Sequence, residues 1–513
     1  MRTKQYGTGA KRRRIHLVVP KTPDNFWNMQ GTANMLGAKT LMPNSAVATL
    51  MALTPPDVCV EYVLSDENVA PLDPDLPCDL VAVTGNIVHA KRIEELCPDL
   101  RARGHAVALG GPFASLNRER CRGLANHLFI GEAEYTWPRF LREWAGGNAG
   151  AEYVQEEKLD LADSPPPDWS LIRARDYINI PVQTSRGCPN RCDFCDVVQY
   201  VGHKYRHKSA DQVLAEVKNA HAIGGRTVFF SDDNFLGDKR FTRSLLAKVI
   251  EWNMEQTRPL SFSTQITVEV ARDPDLLKQF ADARFSVLFL GVETPRAESL
   301  RDVNKMQNLA HDMGEGIRAI GKMGIVPFLG LMVGFDHDDE TVFGEISRFV
   351  RDTNSPIVGL SLLNAPPGTP LYRRLEKEGR IAGPGFDGDW QLGTNVVPLR
   401  MTTGELVART WDLYREVYDP GVFLERLTSW LASVEYRGAE YPKKRFDPAT
   451  LGRVGRILSY VLFKSDPAVR RCFRESVAQT RRINPALFRR TFTLFTQYAH
   501  CFEYGQRYAG GPG

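Results

Sequence analysis

Three cysteines lie within eight positions in the stretch Gly187-Cys188-Pro189-Asn190-Arg191-Cys192-Asp193-Phe194-Cys195, with the spacing Cys-x3-Cys-x2-Cys. The other six of the nine cysteines are scattered, as small buried side chains usually are. Iron–sulfur clusters are held by thiolates, normally four to a cluster. Three thiolates leave one iron of a [4Fe–4S] cluster open, and a substrate can coordinate there. The spacing therefore predicts a cluster on Cys188, Cys192 and Cys195.

A zinc site is the alternative for this motif. Zinc needs a fourth Cys or His ligand, and His203 and His207 lie close downstream. The position of the motif favours the cluster, because it directly follows the predicted strand 182–186. The carboxyl ends of barrel strands are where active sites form.

Apolar segments and helical segments alternate downstream of the motif, which indicates a partial (β/α)6 barrel over residues 181–382. An open doubly wound sheet is the alternative architecture. The predicted strands are 182–186, 227–231, 261–267, 287–292, 326–333 and 358–363. The predicted helices are 210–222, 243–255, 275–283, 309–323 and 340–353.

Residues 1–150 indicate a separate Rossmann-like α/β unit. Its apolar runs do not alternate with polar residues, which is typical of parallel strands covered on both faces. Glycines follow several of these strands, at the edge where such sheets bind ligands. The basic run 11–14 is expected to be a solvated tail before the first strand. The predicted strands are 15–20, 80–84, 106–109 and 127–130.

The rest of the chain is a proline-containing linker, 151–180, and a helical module, 383–513. The fold class is therefore α/β, with the Rossmann-like unit, the central partial barrel and a C-terminal helical domain. Residues 383–390 are expected to form a loop, and 510–513 a loose tail. The predicted helices of the module are 403–417, 422–432, 447–464, 466–480 and 485–508.

Composition limits the classes of function. A length of 513 residues suggests two to four domains, and a net charge of +4 is too small to indicate nucleic acid binding. No apolar run reaches the roughly 18 residues that a membrane span needs. The basic N-terminus lacks a signal-peptide pattern, so a cytoplasmic location is expected.

The cysteine motif resembles that of the radical SAM superfamily. The resemblance implies that S-adenosylmethionine (SAM) chelates the open iron and is cleaved reductively, usually to a 5′-deoxyadenosyl radical. A reductant such as flavodoxin or ferredoxin would supply the electron. The positions that match SAM contacts of the family are Phe194, Ser231, Asp232, Asp233, Asn234, Gln265, Glu293 and Gly334. Two alternatives stay open: residues 231–234 as a simple turn, and Glu293 as a residue that organises the barrel.

The first unit resembles the cobalamin-binding domain that precedes many radical SAM enzymes. The histidine motif that ligates cobalt in other cobalamin proteins is absent, so a Rossmann-like unit without cobalamin is the alternative. The residues that would line the cobalamin trough are Thr84, Gly85, Gly110, Gly111, Pro112, Gly131 and Glu132.

Nearly the whole chain resembles one subgroup, the cobalamin-domain radical SAM proteins with a C-terminal helical module, which includes hopanoid C-3 methylase. The arsinothricin-forming enzyme is also similar, but only Cys472 remains of its cysteine-rich tail motif. The resemblance implies methylation of an unactivated carbon or phosphorus of a small-molecule substrate in natural-product metabolism. Aminocarboxypropyl transfer or a rearrangement is the enzymatic alternative, and a non-catalytic metal-binding protein is the rival from another class.

Overall fold

The computed structural model describes residues 2–8, 12–383, 393–441 and 448–508. The predicted loop 383–390, apart from its first residue, and the predicted tail 510–513 lie outside the described residues. The predicted α/β class is confirmed. Two sheets built mainly from parallel strands are followed by a helical C-terminal region.

The first sheet has seven strands in the order β1-β3-β2-β4-β5-β6-β7. All neighbours are parallel except β1 and β3. Separate apolar clusters cover its two faces, as the unbroken apolar runs predict. Its strands are β1 (Thr3–Tyr6), β2 (Arg13–Val19), β3 (Val60–Asp66), β4 (Leu80–Thr84), β5 (Val107–Gly110), β6 (His127–Ile130) and β7 (Glu152–Val154).

Three of these strands are absent from the sequence prediction. β3 contains Glu61, whose buried carboxylate pairs with Arg12 and with Arg14 Nε, the latter at 2.7 Å. A charged residue inside the strand breaks the apolar pattern. β1 and β7 are short strands at the two edges of the sheet, and β7 lies within the expected linker 151–180.

Residues 11–14 are predicted to form a solvated tail, and this prediction is wrong for Arg13 and Arg14. Arg13 and Arg14 open β2. The Arg13 guanidinium lies 4.9 Å from the ring centroid of Trp144 and donates to the Ala145 carbonyl at 2.7 Å. Packing against the aromatic ring therefore orders this basic segment.

The second sheet has six parallel strands in chain order, which is the arrangement of a partial barrel. A doubly wound sheet would reverse its strand order at a switch point, and this one does not. The strands are β8 (Ile180–Val182), β11 (Thr227–Phe230), β12 (Ser261–Ile266), β13 (Phe285–Glu293), β14 (Val326–Val333) and β15 (Ile357–Leu362). A separate two-stranded ribbon consists of β9 (Ser185–Arg186) and β10 (Arg206–His207).

The predicted first barrel strand, 182–186, is therefore wrong in its bounds. The barrel strand ends at Val182, and Ser185 and Arg186 pair with β10 instead. The cause is Asp232, whose Oδ1 accepts hydrogen bonds from the backbone N–H groups of Thr184 and Ser185 at 2.9 and 2.5 Å. Those donors are then unavailable to the parallel ladder.

Helices cover the outside of both sheets and form the C-terminal module. In the first unit they are α1 (Gln30–Leu36), α2 (Ser45–Ala52), α3 (Ala90–Ala102), α4 (Pro112–Leu116), α5 (Arg118–Cys121) and α6 (Thr136–Gly146). In the barrel they are α7 (Val197–Val201), α8 (Ala210–Ala222), α9 (Lys239–Met254), α10 (Pro274–Asp282), α11 (Ala297–Asp302), α12 (Met313–Lys322), α13 (Val342–Asp352) and α14 (Pro370–Lys377). The module has α15 (Thr403–Val417), α16 (Pro420–Ser433), α17 (Pro448–Phe463), α18 (Pro467–Ile483) and α19 (Phe488–Arg507).

A row of three glycines crosses the concave face of the barrel sheet. Gly291, Gly330 and Gly359 lie side by side in register on β13, β14 and β15. A Cβ atom at Gly359 would lie 2.5 Å from the indole of Trp27, and one at Gly330 would lie 2.7 Å from the ring of Phe289. Gly330 and Gly359 therefore make room for aromatic rings inside the barrel, whereas a Cβ atom at Gly291 would lie 2.7 Å from Glu293 Oε1.

Trp27, which precedes α1, enters this space from the first unit. Its indole stacks on Phe328 with ring centroids 5.9 Å apart and meets the edge of Phe289 at 5.4 Å. The neighbouring Phe26 is fully buried in an apolar core that is continuous with the barrel and the C-terminal helices. One core thus joins all three parts of the chain.

Candidate functional site

The cysteine loop connects β9 to α7 at the carboxyl end of the barrel. Gly187 starts the loop with a φ of +96°, and a Cβ atom there would lie 2.2 Å from the carbonyl oxygen of Lys204. The loop requires glycine at this position. The Cys188 N–H then donates to the Gly202 carbonyl at 3.3 Å.

All nine cysteines have free thiols. Within the described part of the chain, no three His, Cys, Asp or Glu side chains converge closely enough to hold a single metal ion. A [4Fe–4S] cluster binds each thiolate to a different iron. His207, one alternative zinc ligand, stacks on Phe241 at 4.2 Å and lies on the ribbon strand β10. The three thiols of the loop are thus a donor set that fits a cluster.

Two carboxylates after β11 hold the start of the loop. Asp232 Oδ1 also accepts from Ser185 Oγ at 2.9 Å, and Asp233 Oδ2 accepts from the Gly187 N–H at 2.9 Å. Burial raises the pKa of Asp232 to about 7. Asp232 therefore positions the chain that leads into the cysteine loop.

Arg186 connects the loop to the first sheet. Its guanidinium donates to Glu132 at 2.9 Å and to Glu134 at 2.5 Å, and Arg206 donates to Glu132 at 3.0 Å. Glu132 also accepts from the Leu159 N–H at 2.8 Å. Burial alone would raise the pKa of Glu132, but the hydrogen bonds from Arg206 and Arg186 lower it, so the group is an anion within a buried network.

A second buried ion pair lies on the other side of the loop. Glu293 at the end of β13 accepts from Lys305 Nζ at 2.6 Å. The same Nζ lies 5.6 Å from the ring centroid of Phe194, and Gln307 Nε2 lies 3.4 Å from Cys192 Sγ. Lys305 and Gln307 belong to no recognisable motif, so the sequence alone does not predict them.

The remaining predicted SAM residues fall into two groups. Ser231 and Asp233 line a large cavity, and Gln265 is exposed beside Phe289 in the strand register. Asn234 is buried and accepts from the Leu236 N–H at 3.1 Å. The Gly334 N–H donates to Asp338 Oδ2 at 2.8 Å. Asp232, Asn234 and Gly334 are therefore engaged in internal hydrogen bonds.

The large cavity, of about 770 Å³, lies where the carboxyl ends of the two sheets meet. A smaller cavity of about 220 Å³ adjoins it and shares the lining residues Thr84, Pro112 and Gln183. Each of the seven residues predicted to line a cobalamin trough borders one or both cavities. Those of the large cavity are Thr84, Gly85 and Pro112, and those of the small one are Thr84, Gly110, Gly111, Pro112, Gly131 and Glu132.

The wall of the large cavity is rich in carboxamide side chains. His89 also lies there, but its Nδ1 accepts from the Asn86 N–H at 3.2 Å and its Nε2 contacts Thr22 Oγ1 at 3.1 Å. Burial lowers the pKa of His89 to about 4, so the ring is neutral with both nitrogens engaged. The asparagines of the wall are Asn25, Asn28, Asn44, Asn68, Asn86 and Asn117.

Residues 182–350 match the family model described as the radical SAM superfamily, and residues 369–511 match a domain of unknown function, DUF4070. The chain is 31% identical over 504 residues to the uncharacterized methyltransferase sll1242 of Synechocystis sp., covering 96% of this chain and 92% of that protein. The chain belongs to the radical SAM superfamily. Membership in this superfamily implies a [4Fe–4S] cluster and SAM as cofactors, as predicted from the motif.

A second relative and one solved structure are also similar to this chain. The hopanoid C-2 methylase of Rhodopseudomonas palustris is 27% identical over 88% of this chain and 84% of its own. The solved structure of the cobalamin-dependent SAM radical enzyme OxsB, with aqua-cobalamin and SAM bound, has a TM-score of 0.62 at 14% identity. The match covers 97% of this chain and 80% of OxsB, so nearly the whole fold is shared. No helix within the described residues is long and apolar enough to cross a membrane.

Proposed function

We propose that this radical SAM enzyme is a cobalamin-dependent methyltransferase of natural-product metabolism that acts on an unactivated carbon or phosphorus of a small molecule. One observation carries the proposal: a single cavity is bordered both by the loops after β4 and β5 and by Ser231 and Asp233 of the barrel. The names of the relatives support it, since two are methyltransferases. OxsB was solved with cobalamin and SAM together.

The residues present fit the cofactors. Three free thiols would hold the cluster, and Ser231 and Asp233 offer polar atoms for SAM. Cobalamin carries amide side chains on its corrin ring, and asparagine amides of the cavity wall have the chemistry to pair with them. Asn25, Asn68 and Asn117 already donate to the carbonyls of Pro23, Pro20 and Phe113 at 3.2, 3.1 and 3.1 Å, so they would offer only their remaining hydrogen-bonding capacity. When bound, the cluster supplies an electron for SAM cleavage and cobalamin supplies a methyl group.

A large cofactor can approach the backbone closely only where no side chain projects from it, which is the case at glycine. Gly111 follows β5 with a φ of +94°, and a Cβ atom there would lie 2.6 Å from Thr84 Oγ1. Glycine therefore lets the loops after β4 and β5 approach each other closely.

The protein's own side chains determine what the cavity accepts. Trp27 lines it, and Phe289 and Phe328 support that indole from the barrel. An aromatic wall excludes water and favours an apolar part of a substrate. The ion pair of Arg186 with Glu132 connects the cysteine loop to the first sheet, so it would hold the proposed cluster and cobalamin sites in one arrangement.

Anaerobic reconstitution with iron, sulfide and hydroxocobalamin tests the proposal. We expect about four irons and one cobalamin per chain. With isotopically methyl-labelled SAM and a reductant, we expect reductive cleavage to 5′-deoxyadenosine. The triple variant Cys188→Ala/Cys192→Ala/Cys195→Ala should lose iron and cleavage, while Cys78→Ala, a half-buried cysteine of the first unit, should keep both.

Other outcomes would contradict the proposal in distinct ways. Full iron loading without cobalamin uptake would indicate radical chemistry independent of cobalamin. Methylthioadenosine as the cleavage product would indicate aminocarboxypropyl transfer. One zinc per chain in place of iron would indicate a metal-binding protein without this catalysis.

A further inference from the structure

Helix α17 has an apolar face that no described residue covers. Its inner face packs through Ile457 and Val461, which are 4% and 3% exposed. A second apolar row runs along the outside at helical spacing, where an ordinary surface helix would be polar. The outer residues are Leu451, Leu458, Leu462 and Phe463, which are 55%, 37%, 57% and 81% exposed.

Cations flank this outer face. Residues 450–465 include Arg453, Arg456 and Lys464 and contain no Asp or Glu. The start of α18 adds Arg470, whose Nη1 donates to the Leu462 carbonyl at 3.3 Å. A helix with exposed Leu and Phe on one side and flanking basic residues is typical of segments that lie in the interface of a membrane.

An arginine-lined cavity of about 710 Å³ opens beside α17. Of the described residues that line it, seven are arginines and none is Asp or Glu, and Arg453 and Arg456 of α17 are two of the seven. Ile180 and Arg226 place it at the amino ends of β8 and β11, opposite the cysteine loop. It is therefore separate from the proposed cofactor site.

Most of these arginines have no anionic partner within the described part of the chain. Those that pair with no described carboxylate are Arg2, Arg173, Arg175, Arg258 and Arg456. Among the described residues, Arg2, Arg258 and Arg456 donate only to backbone carbonyls, those of Ile172, His221 and Leu36, at 3.3, 3.4 and 3.2 Å. Several guanidinium groups directed at one space without a counter-ion favour an anionic ligand, and phosphate oxygens match their geometry.

We propose that α17 and the arginine-lined cavity together form a docking surface for a bilayer of anionic phospholipids. The cavity receives phosphate headgroups, and Leu451, Leu458, Leu462 and Phe463 enter the acyl boundary. A second copy of the chain fits this surface poorly, because a symmetric contact would place arginines opposite arginines. The attachment is peripheral and is independent of the proposed function.

Vesicle co-sedimentation of the full-length reconstituted protein tests the proposal. We expect binding to phosphatidylcholine–phosphatidylglycerol vesicles and little to phosphatidylcholine alone. Raising the ionic strength from about 0.1 M to about 1 M should weaken it. Leu458→Ser/Leu462→Ser/Phe463→Ser and Arg173→Gln/Arg175→Gln should each weaken it roughly tenfold or more.

Matched controls make the test specific. Leu399→Ser removes an equally exposed leucine, 59%, outside α17. Arg103→Gln/Arg122→Gln removes two exposed arginines of the first unit. Both should bind vesicles like the parent. The proposal is overturned if anionic vesicles do not sediment the protein, or if the controls lose as much binding as the test variants. It is also overturned if light scattering shows a dimer that the triple Ser variant dissociates.

Discussion

Arg186 Nη1 lies 2.9 Å from Glu132 Oε1, which joins the residue two positions before the first cysteine of the loop to the end of the first sheet. The side chains of Arg186 and Glu132 are 15% and 2% exposed. Removing one partner of an ion pair that is shielded from water in this way strongly destabilises the fold, because the remaining charge stays buried without a partner.

Arg186→Met should destabilise the enzyme by roughly 3–5 kcal/mol and lower its retained iron, because Glu132 and Glu134 lose a partner while staying buried. Thermal unfolding and iron content measure the two effects. Arg186→Lys keeps the charge and should lose less of both. The exposed Arg103–Asp99 pair is the control, and Arg103→Met should leave the melting temperature and the iron content close to those of the parent. Equal losses in Arg186→Met and Arg103→Met would contradict the role given to Arg186.

Gly359→Ala should destabilise the enzyme by roughly 1–3 kcal/mol, because its Cβ would press on the packed Trp27 indole. Gly344, inside α13, has no described atom within 4 Å of the position that a Cβ would occupy, so Gly344→Ala should stabilise by up to about 1 kcal/mol. Melting temperatures report both changes. Combining Gly359→Ala with Trp27→Phe should recover part of the loss, and strictly additive losses would show that the two positions are not coupled.

Gln307→Leu should make the reduction potential of the cluster more negative, because it removes an amide donor from Cys192 Sγ. An EPR-monitored redox titration measures this shift without any substrate. The chain contains a matched control: Gln5 Nε2 donates to Cys59 Sγ at 3.5 Å in the first sheet. Gln5→Leu should leave the potential unchanged. A Gln307→Leu potential equal to that of the parent would show that the amide does not act on the cluster.

The three buried histidines His16, His89 and His500 should each contribute a loss of stability as the pH is lowered from about 6.5 to about 4. Burial lowers the pKa values of His16, His89 and His500 to about 4, so the unfolded chain binds these protons first. Because the unfolded state then holds more protons, each histidine contributes a loss of up to about 1.4 kcal/mol per pH unit.

The pH series is checked by melting temperatures of the parent and of two variants at pH 7 and pH 5. His500→Gln should show a smaller drop between the two values than the parent, since one buried histidine is gone. His203 is exposed, and His203→Gln should show the parental drop. An unchanged drop in His500→Gln would mean that His500 does not contribute.

Periodicity predicts the elements whose burial is uniform. The barrel strands and most helices follow from apolar runs, because both faces of a parallel strand are covered. The apolar-run criterion does not predict β3, because the strand contains the charged Glu61. Arg12 and Arg14, which are distant in sequence, neutralise that carboxylate. The end of β8 at Val182 depends on Asp232, a residue of another strand end.

The residues of the candidate site also divide into those that local sequence predicts and those that depend on contacts between distant segments. Local spacing is sufficient to predict Cys188, Cys192 and Cys195 as cluster ligands, since one loop holds all three, and that assignment stays a prediction. Glu132 was expected to face cobalamin, but Arg186 and Arg206 take up its carboxylate. Such pairings join segments far apart in the chain, and no local pattern records them.

The barrel depends on a residue from outside it. Without Trp27, the glycine row would leave a hollow beside Phe289 and Phe328, so residues 181–382 on their own have an incomplete interior. A chimera with the first unit of a relative would fill the interior of this barrel only if that unit placed an aromatic ring of similar size at the position of Trp27. Trp27 and Gly359 are therefore complementary in shape, and a larger side chain at either position would displace the other.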